Sequence, residues 1–203
     1  MNLGQILLES FRSLAANRLR TELPLLLAPV HIMFLELVID PSCSLIFEAE
    51  ASESDVMRRP PRSAQARLFS GRTVLASFAQ GLSVLLVCLG ILILTRPTHG
   101  PDVARALSFA TLVVSFVAII LVNRSWTRTA FAMMRAPNPA LWWVISGTAL
   151  GLVAILEVPA LRRVFSFAPL HLDDLGLSLA AGVLCVLWFD VLKLLPAHRQ
   201  LPQ

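Results

Sequence analysis

Five apolar runs separated by short polar stretches organise this chain. Those near 73–95, 105–123 and 138–157 approach the roughly 20 residues that an α-helix needs to cross a bilayer. A fourth, 175–195, reaches that length only if Asp190 and Lys193 stand at the membrane interface, where their three-residue spacing puts them on one helix face. The fifth, 23–47, carries Pro24, Pro29, Glu36, Asp40 and Pro41 within it. Residues 1–21 follow a different pattern. On a helical wheel Leu3, Ile6, Leu7, Phe11 and Leu14 gather on one side, with Gln5, Glu9, Arg12 and Ala16 opposite, as in a helix lying on a membrane surface. The predicted fold is an all-α integral membrane protein: an N-terminal amphipathic helix over 1–21, a domain of five transmembrane helices over 22–196, and a short tail over 197–203.

Composition agrees with lipid as the main solvent. Of the 203 residues, 56% are hydrophobic and only 15% charged, against about 25% charged in soluble domains. The net charge of +4 does not point to nucleic acid, because the arginines flank apolar runs and form no stripe; they carry topology information instead. Cys43, Cys88 and Cys185 fall inside or at the ends of apolar segments and form no C-x-x-C pair, so they read as small buried residues. The first 22 residues include Glu9, Arg12, Arg18, Arg20 and Glu22 and lack a continuous apolar core, so no removable signal peptide is expected.

The distinctive chemistry lies in the first span. Glu36 and Asp40 are four residues apart, on one helix face. Each acid at the bilayer centre costs roughly 2.5 to 3.5 kcal/mol on insertion scales. Pro41 cannot donate to the Leu37 carbonyl, nor Pro29 to that of Leu25, so the helix is expected to loosen at two levels and free carbonyl oxygens. A hard cation held between carboxylates and carbonyls offsets the cost, which makes Glu36 and Asp40 candidate metal ligands. Two other readings stay open: the acids are protonated, or they pair with a basic residue on another helix. No other span has an acid near its middle, so the pair is half a coordination shell at most. His31, His99, His171 and His198 are scattered and none is assigned to a metal. Gly147 and Gly151 form a G-x-x-x-G that permits close helix approach. Trp126, Trp142, Trp143 and Trp188 lie near span ends and suit an interfacial belt.

The stretch 23–62, LPLLLAPVHIMFLELVIDPSCSLIFEAEASESDVMRRPPR, resembles the sixth transmembrane helix and following cytoplasmic loop of P-type cation-transporting ATPases, especially bacterial relatives of the calcium pumps. VPALRRVFSFAPLHLDDLG, with a later span ending FDVLKLL, is similar to that family's last extracellular loop and tenth helix. The resemblance implies helices six to ten of such a pump, with Glu36 and Asp40 at the positions where its sixth helix ligates cations. Many calcium pumps have Thr-Asp-Gly where this chain has Ile39, Asp40 and Pro41, and the span 105–123 lacks an acid that some relatives supply. Calcium, another divalent ion, sodium or protons all fit as the transported species. The chain itself is expected to bind no cofactor.

The family's phosphorylation sequence D-K-T-G-T and its T-G-E loop do not occur in these 203 residues, so the chain is not expected to hydrolyse ATP alone. The implied partners are the bilayer and the missing N-terminal half of a pump. Alternative readings are a truncated, non-functional remnant, or a small membrane protein docking on a pump or an ABC permease. MNLGQILLESFRSLAANRLRT is similar to the N-terminal interfacial helix of macrolide-export type ABC permeases, which places a junction between segments of different origin near Thr21. Outside this leader, ten Lys or Arg lie on the face that holds the loops after the first and third spans and the C-terminus, and four on the other. That bias predicts a cytoplasmic C-terminus in the bacterial plasma membrane; Arg12, Arg18 and Arg20 oppose it.

Overall fold

A computed structural model describes residues 29–50, 71–125, 129–134 and 138–193, with only the backbone described at Asp40, Pro41, Arg72 and Ala132. The leader 1–21, the turn 55–62 and the tail 197–203 lie outside the described residues. The described residues contain no strand. They form α1 (Pro29–Glu48), α2 (Gly71–His99), α3 (Pro101–Asn123), α4 (Ala130–Met134), α5 (Pro139–Glu157), α6 (Pro159–Phe165) and α7 (Leu172–Leu192). The helices α1, α2, α3, α5 and α7 are long and apolar enough to cross a membrane.

Local chemistry sets where these helices start. Pro101, Pro139 and Pro159 open α3, α5 and α6, where a missing N–H costs nothing. Asn138 caps α5, its side-chain oxygen accepting from the Leu141 N–H at 3.1 Å. Asp174 accepts from the His171 N–H at 3.0 Å and closes a capping box. This cap starts α7 at Leu172, three residues earlier than the apolar run alone indicates. Between α2 and α3 only Gly100 intervenes, and its φ of 84° lets the chain reverse at once.

The bundle is built around α3, whose apolar stretch is 61% buried, against 17% for α2. On one side α3 packs on α2 and α7 through Val84, Cys88, Ala118, Val122, Cys185, Val186 and Phe189. Its near-continuous burial leaves polar side chains in a dry seam, and each needs a partner there. Thr111 donates to the Leu107 carbonyl (2.9 Å) and Ser115 to that of Thr111 (2.7 Å). Across the seam, Ser178 donates to the Leu107 carbonyl at 3.4 Å and Ser115 meets Cys185 Sγ at 3.3 Å. Gln80 of α2 and Asn123 of α3 exchange amide hydrogen bonds of 3.4 and 3.1 Å.

Asp190 and Lys193 share a face, as their spacing predicts, but that face is buried against protein. They pair at 3.3 Å. Lys193 also donates to the Val122 carbonyl at the end of α3. Asp190 accepts from the Ala130 N–H at 3.0 and 3.1 Å, which satisfies the start of α4.

The other side of α3 meets α1, α5 and α6 through Leu35, Phe109, Val113, Ile155, Leu156, Phe165 and Phe167. Cys88 and Cys185 are buried and Cys43 is half-buried.

Candidate cation-binding face of the first helix

The inward stripe of α1 is His31, Leu35, Ser42 and Ile46, all buried. Helical periodicity then turns Ile32, Met33, Glu36 and Leu37 away from the bundle, and all four are exposed. Asp40 lies four residues after Glu36, and the row continues through Ser44 to Phe47, both exposed. Glu36 therefore lies on a face that this bundle leaves uncovered, and Asp40 follows it by about one helical turn. No described residue donates a hydrogen bond to Glu36 or forms an ion pair with it. The described residues hold no cluster of three or more His, Cys, Asp and Glu side chains placed for a metal ion.

The expectation for the prolines changes. The described part of α1 starts at Pro29, so the level of the Leu25 carbonyl lies outside the described residues. At Pro41 the helix is not opened; it runs as α-helix from Pro29 to Glu48. One absent N–H removes one hydrogen bond, and the helix continues past it with Leu35 buried before Pro41 and Ser42 and Ile46 buried after it. Ser42 is buried and donates back to the Val38 carbonyl. Ile46 is 1% exposed. The supply of free carbonyl oxygens at this level is thus one, that of Leu37.

Two arrangements around α1 were not legible from the pattern of residues. Near the helix start, His31 is fully buried, with Nε2 3.0 Å from the Phe165 carbonyl oxygen. Its ring packs on Phe109, Phe165 and Phe167 at centroid distances of 5.0 to 5.4 Å. Beyond the helix end, the Arg124 guanidinium grips Glu50 through Nε (2.7 Å) and Nη2 (3.1 Å). Arg124 also donates to the Met133 carbonyl at 3.0 Å. The Asn138 amide donates to Glu50 at 3.0 Å and to the Ile46 carbonyl at 3.1 Å. An arginine just past an apolar run reads as an interfacial anchor, and its sequence carries no signal for a carboxylate 74 positions away.

Five helices long and apolar enough to cross a membrane, the first of them with Glu36 exposed, define a multi-span membrane protein. Residues 24–195 match the family model described as cation transporting ATPase, C-terminus, and the chain belongs to that family. A calcium-transporting ATPase of Listeria monocytogenes is 26% identical over 171 residues, covering 81% of this chain and 18% of that protein. One from Bacillus subtilis is 28% identical over 168 residues, with the same two coverages, 81% and 18%. A probable cation-transporting ATPase F of Mycobacterium bovis is 28% identical over 212 residues, covering 99% of this chain and 22% of that protein. This last alignment extends into the leader that the family model leaves out. The chain spans about a fifth of the length of the curated relatives it matches.

Proposed function

We propose that this chain is the C-terminal membrane domain of a P-type cation pump and supplies part of its ion path, with Glu36 and Asp40 as ligands. The observation that carries this reading is the exposure of Glu36 on the outer face of α1, about one helical turn before Asp40. Facing hydrocarbon, two carboxylates would cost roughly 5 to 7 kcal/mol. Covered by the remainder of a pump, the same face becomes one wall of a cation site. The names of the relatives favour calcium as the ion.

ATP hydrolysis belongs, in this reading, to the part that carries D-K-T-G-T and T-G-E, whether on the same polypeptide or on another. The domain sits in the bacterial plasma membrane with its C-terminus in the cytoplasm.

The test is ATP-dependent calcium uptake by proteoliposomes that hold this chain together with the phosphorylatable part of its pump. Glu36→Gln and Asp40→Asn are each expected to raise the calcium concentration for half-maximal uptake by about tenfold or more, equivalent to a loss of about 1.4 kcal/mol of ion binding. Unchanged uptake by the double variant would remove both residues from the mechanism.

A further inference from the structure

The outer face of α1 is uncovered, yet the helix is fastened at both ends. His31 holds its start against the Phe165 carbonyl. Its far end is held twice, by Asn138 on the Ile46 carbonyl and by Arg124 on Glu50. The second fastening is built for rigidity. The Arg124 side chain has 0% exposure and Glu50 16%, the pairing is two-pronged, and further bonds run to Met133 and Asn138. It joins the end of α1 to the end of α3, to α4 and to the cap of α5.

Between His31 and Ile46 lie 15 residue steps, about 22 Å of helix at 1.5 Å per residue. Glu36, Asp40 and Pro41 all lie within that interval. A rod held at both ends cannot slide along its axis. Its middle can only bend, and Pro41 marks the level where one backbone hydrogen bond is missing.

We propose that Glu50 and Arg124, assisted by Asn138, are positioning residues for the ion path: their brace sets the depth in the membrane at which Glu36 and Asp40 stand. This rests on the reading of that acid pair as cation ligands. Releasing the brace leaves α1 hanging from its His31 end, and the acid row then drifts against whatever covers it. Ion affinity falls while the helices, and the chemistry elsewhere in the pump, persist.

The experiment has two arms. In the first, nitroxide labels on Ser44 of α1 and Ser146 of α5, both exposed, report the distance between these helices in the intact chain in bicelles. Arg124→Gln is expected to shift or broaden that distance, and E50R/R124E to restore it. An unchanged distance in Arg124→Gln overturns the brace. Should Arg124→Gln fail to fold, Glu50→Gln carries the same expectation, because it keeps an acceptor oxygen and loses the charge.

In the second arm, calcium uptake by the reconstituted pump separates affinity from turnover. Arg124→Gln should raise the half-saturating calcium concentration by about tenfold with its maximal rate retained, and the charge swap should recover most of that loss. A fall in maximal rate alone, with half-saturation unmoved, overturns the positioning role. A shifted distance in a pump that carries no calcium even unsubstituted upholds the brace and refutes the calcium path of the preceding subsection.

Discussion

Replacing Gly182 with alanine tests the packing of the bundle at its tightest point. A Cβ at 182 would stand 2.7 Å from Val114 Cγ1, 2.8 Å from Val114 Cβ and 2.9 Å from the Thr111 carbonyl oxygen. Ordinary carbon contacts lie near 3.5 to 4.0 Å, so α7 and α3 must part by about 1 Å. Neither obstacle can swing aside, since one is the root of a β-branched side chain and the other is backbone. Overpacking of this kind costs about 1 to 3 kcal/mol, while the gain in helix propensity from Gly to Ala returns about 1 at most. Separation also stretches the Ser178 and Ser115 contacts across the seam, already at 3.4 and 3.3 Å. The expected net loss is about 1 to 2 kcal/mol, read from thermal unfolding of the purified chain in detergent by circular dichroism. Gly147→Ala is the control, because nothing lies within 4 Å of a Cβ there. It should match the unsubstituted chain or exceed it. Adding Val114→Ala to Gly182→Ala should recover part of the loss, because it removes the Cγ1 collision and leaves a smaller Cβ free to shift. A Gly182→Ala protein as stable as the Gly147→Ala control would refute the close approach of α7 to α3.

Lys193→Met should destabilise the chain by roughly 3 to 5 kcal/mol, because it leaves the Asp190 carboxylate buried without its cation; K193M/D190N should cost less than K193M alone in the same unfolding assay. Gln80→Leu and Asn123→Leu should each cost about 0.6 to 1.7 kcal/mol, and the double variant about as much as either, since one reciprocal amide pair is lost in all three; full additivity would deny the pair.

How far residues predict this architecture depends on the range of the interaction. Apolar length and local capping lie within a few positions of each other, so the existence of all five long helices was legible. Even the early start of α7 was present in His171 and Asp174, where the apolar run masked it. Contacts between helices are a different matter. Gly147 and Gly151 advertise a close approach by their spacing, but only Gly151 meets a neighbour, Phe34 at 3.4 Å. Ser178 and Gly182 carry the same small-residue spacing with one hydroxyl added, and theirs is the face that α3 uses. Spacing reveals a surface able to approach closely; which surface does so depends on partners remote in sequence.

The candidate site was legible for the same reason in part. Two acids four residues apart in an apolar helix declare a face by themselves. That Glu36 points away from the bundle follows from where α3, α5 and α6 pack, which the α1 sequence does not encode. Its stripe of His31, Leu35, Ser42 and Ile46 is no more apolar than the opposite row of Ile32, Met33, Leu37 and Phe47.

Arg124 and Lys193 bring the topological and packing readings into contact. Both belong to the positive bias that predicts a cytoplasmic C-terminus, Arg124 after the third span and Lys193 at the end of the last, yet both are buried, tied to Glu50 and Asp190. The two roles act at different times. Orientation is decided as spans enter the bilayer, before α3 has met α7, and acidic residues weigh little in that decision. Arg124 and Lys193 therefore count as cations at that stage, whatever they bind later. Once the bundle packs, a bare cation at the end of a span would have to stay in water and would pull its helix end outward. Neutralised in place by an acid, it instead donates to carbonyls that the helix ends leave open, Met133 for Arg124 and Val122 for Lys193. The acids are thus what allow a cation at the end of a span to become an internal fastening, and removing Glu50 should loosen the packed bundle without altering the side of the membrane on which its loops lie.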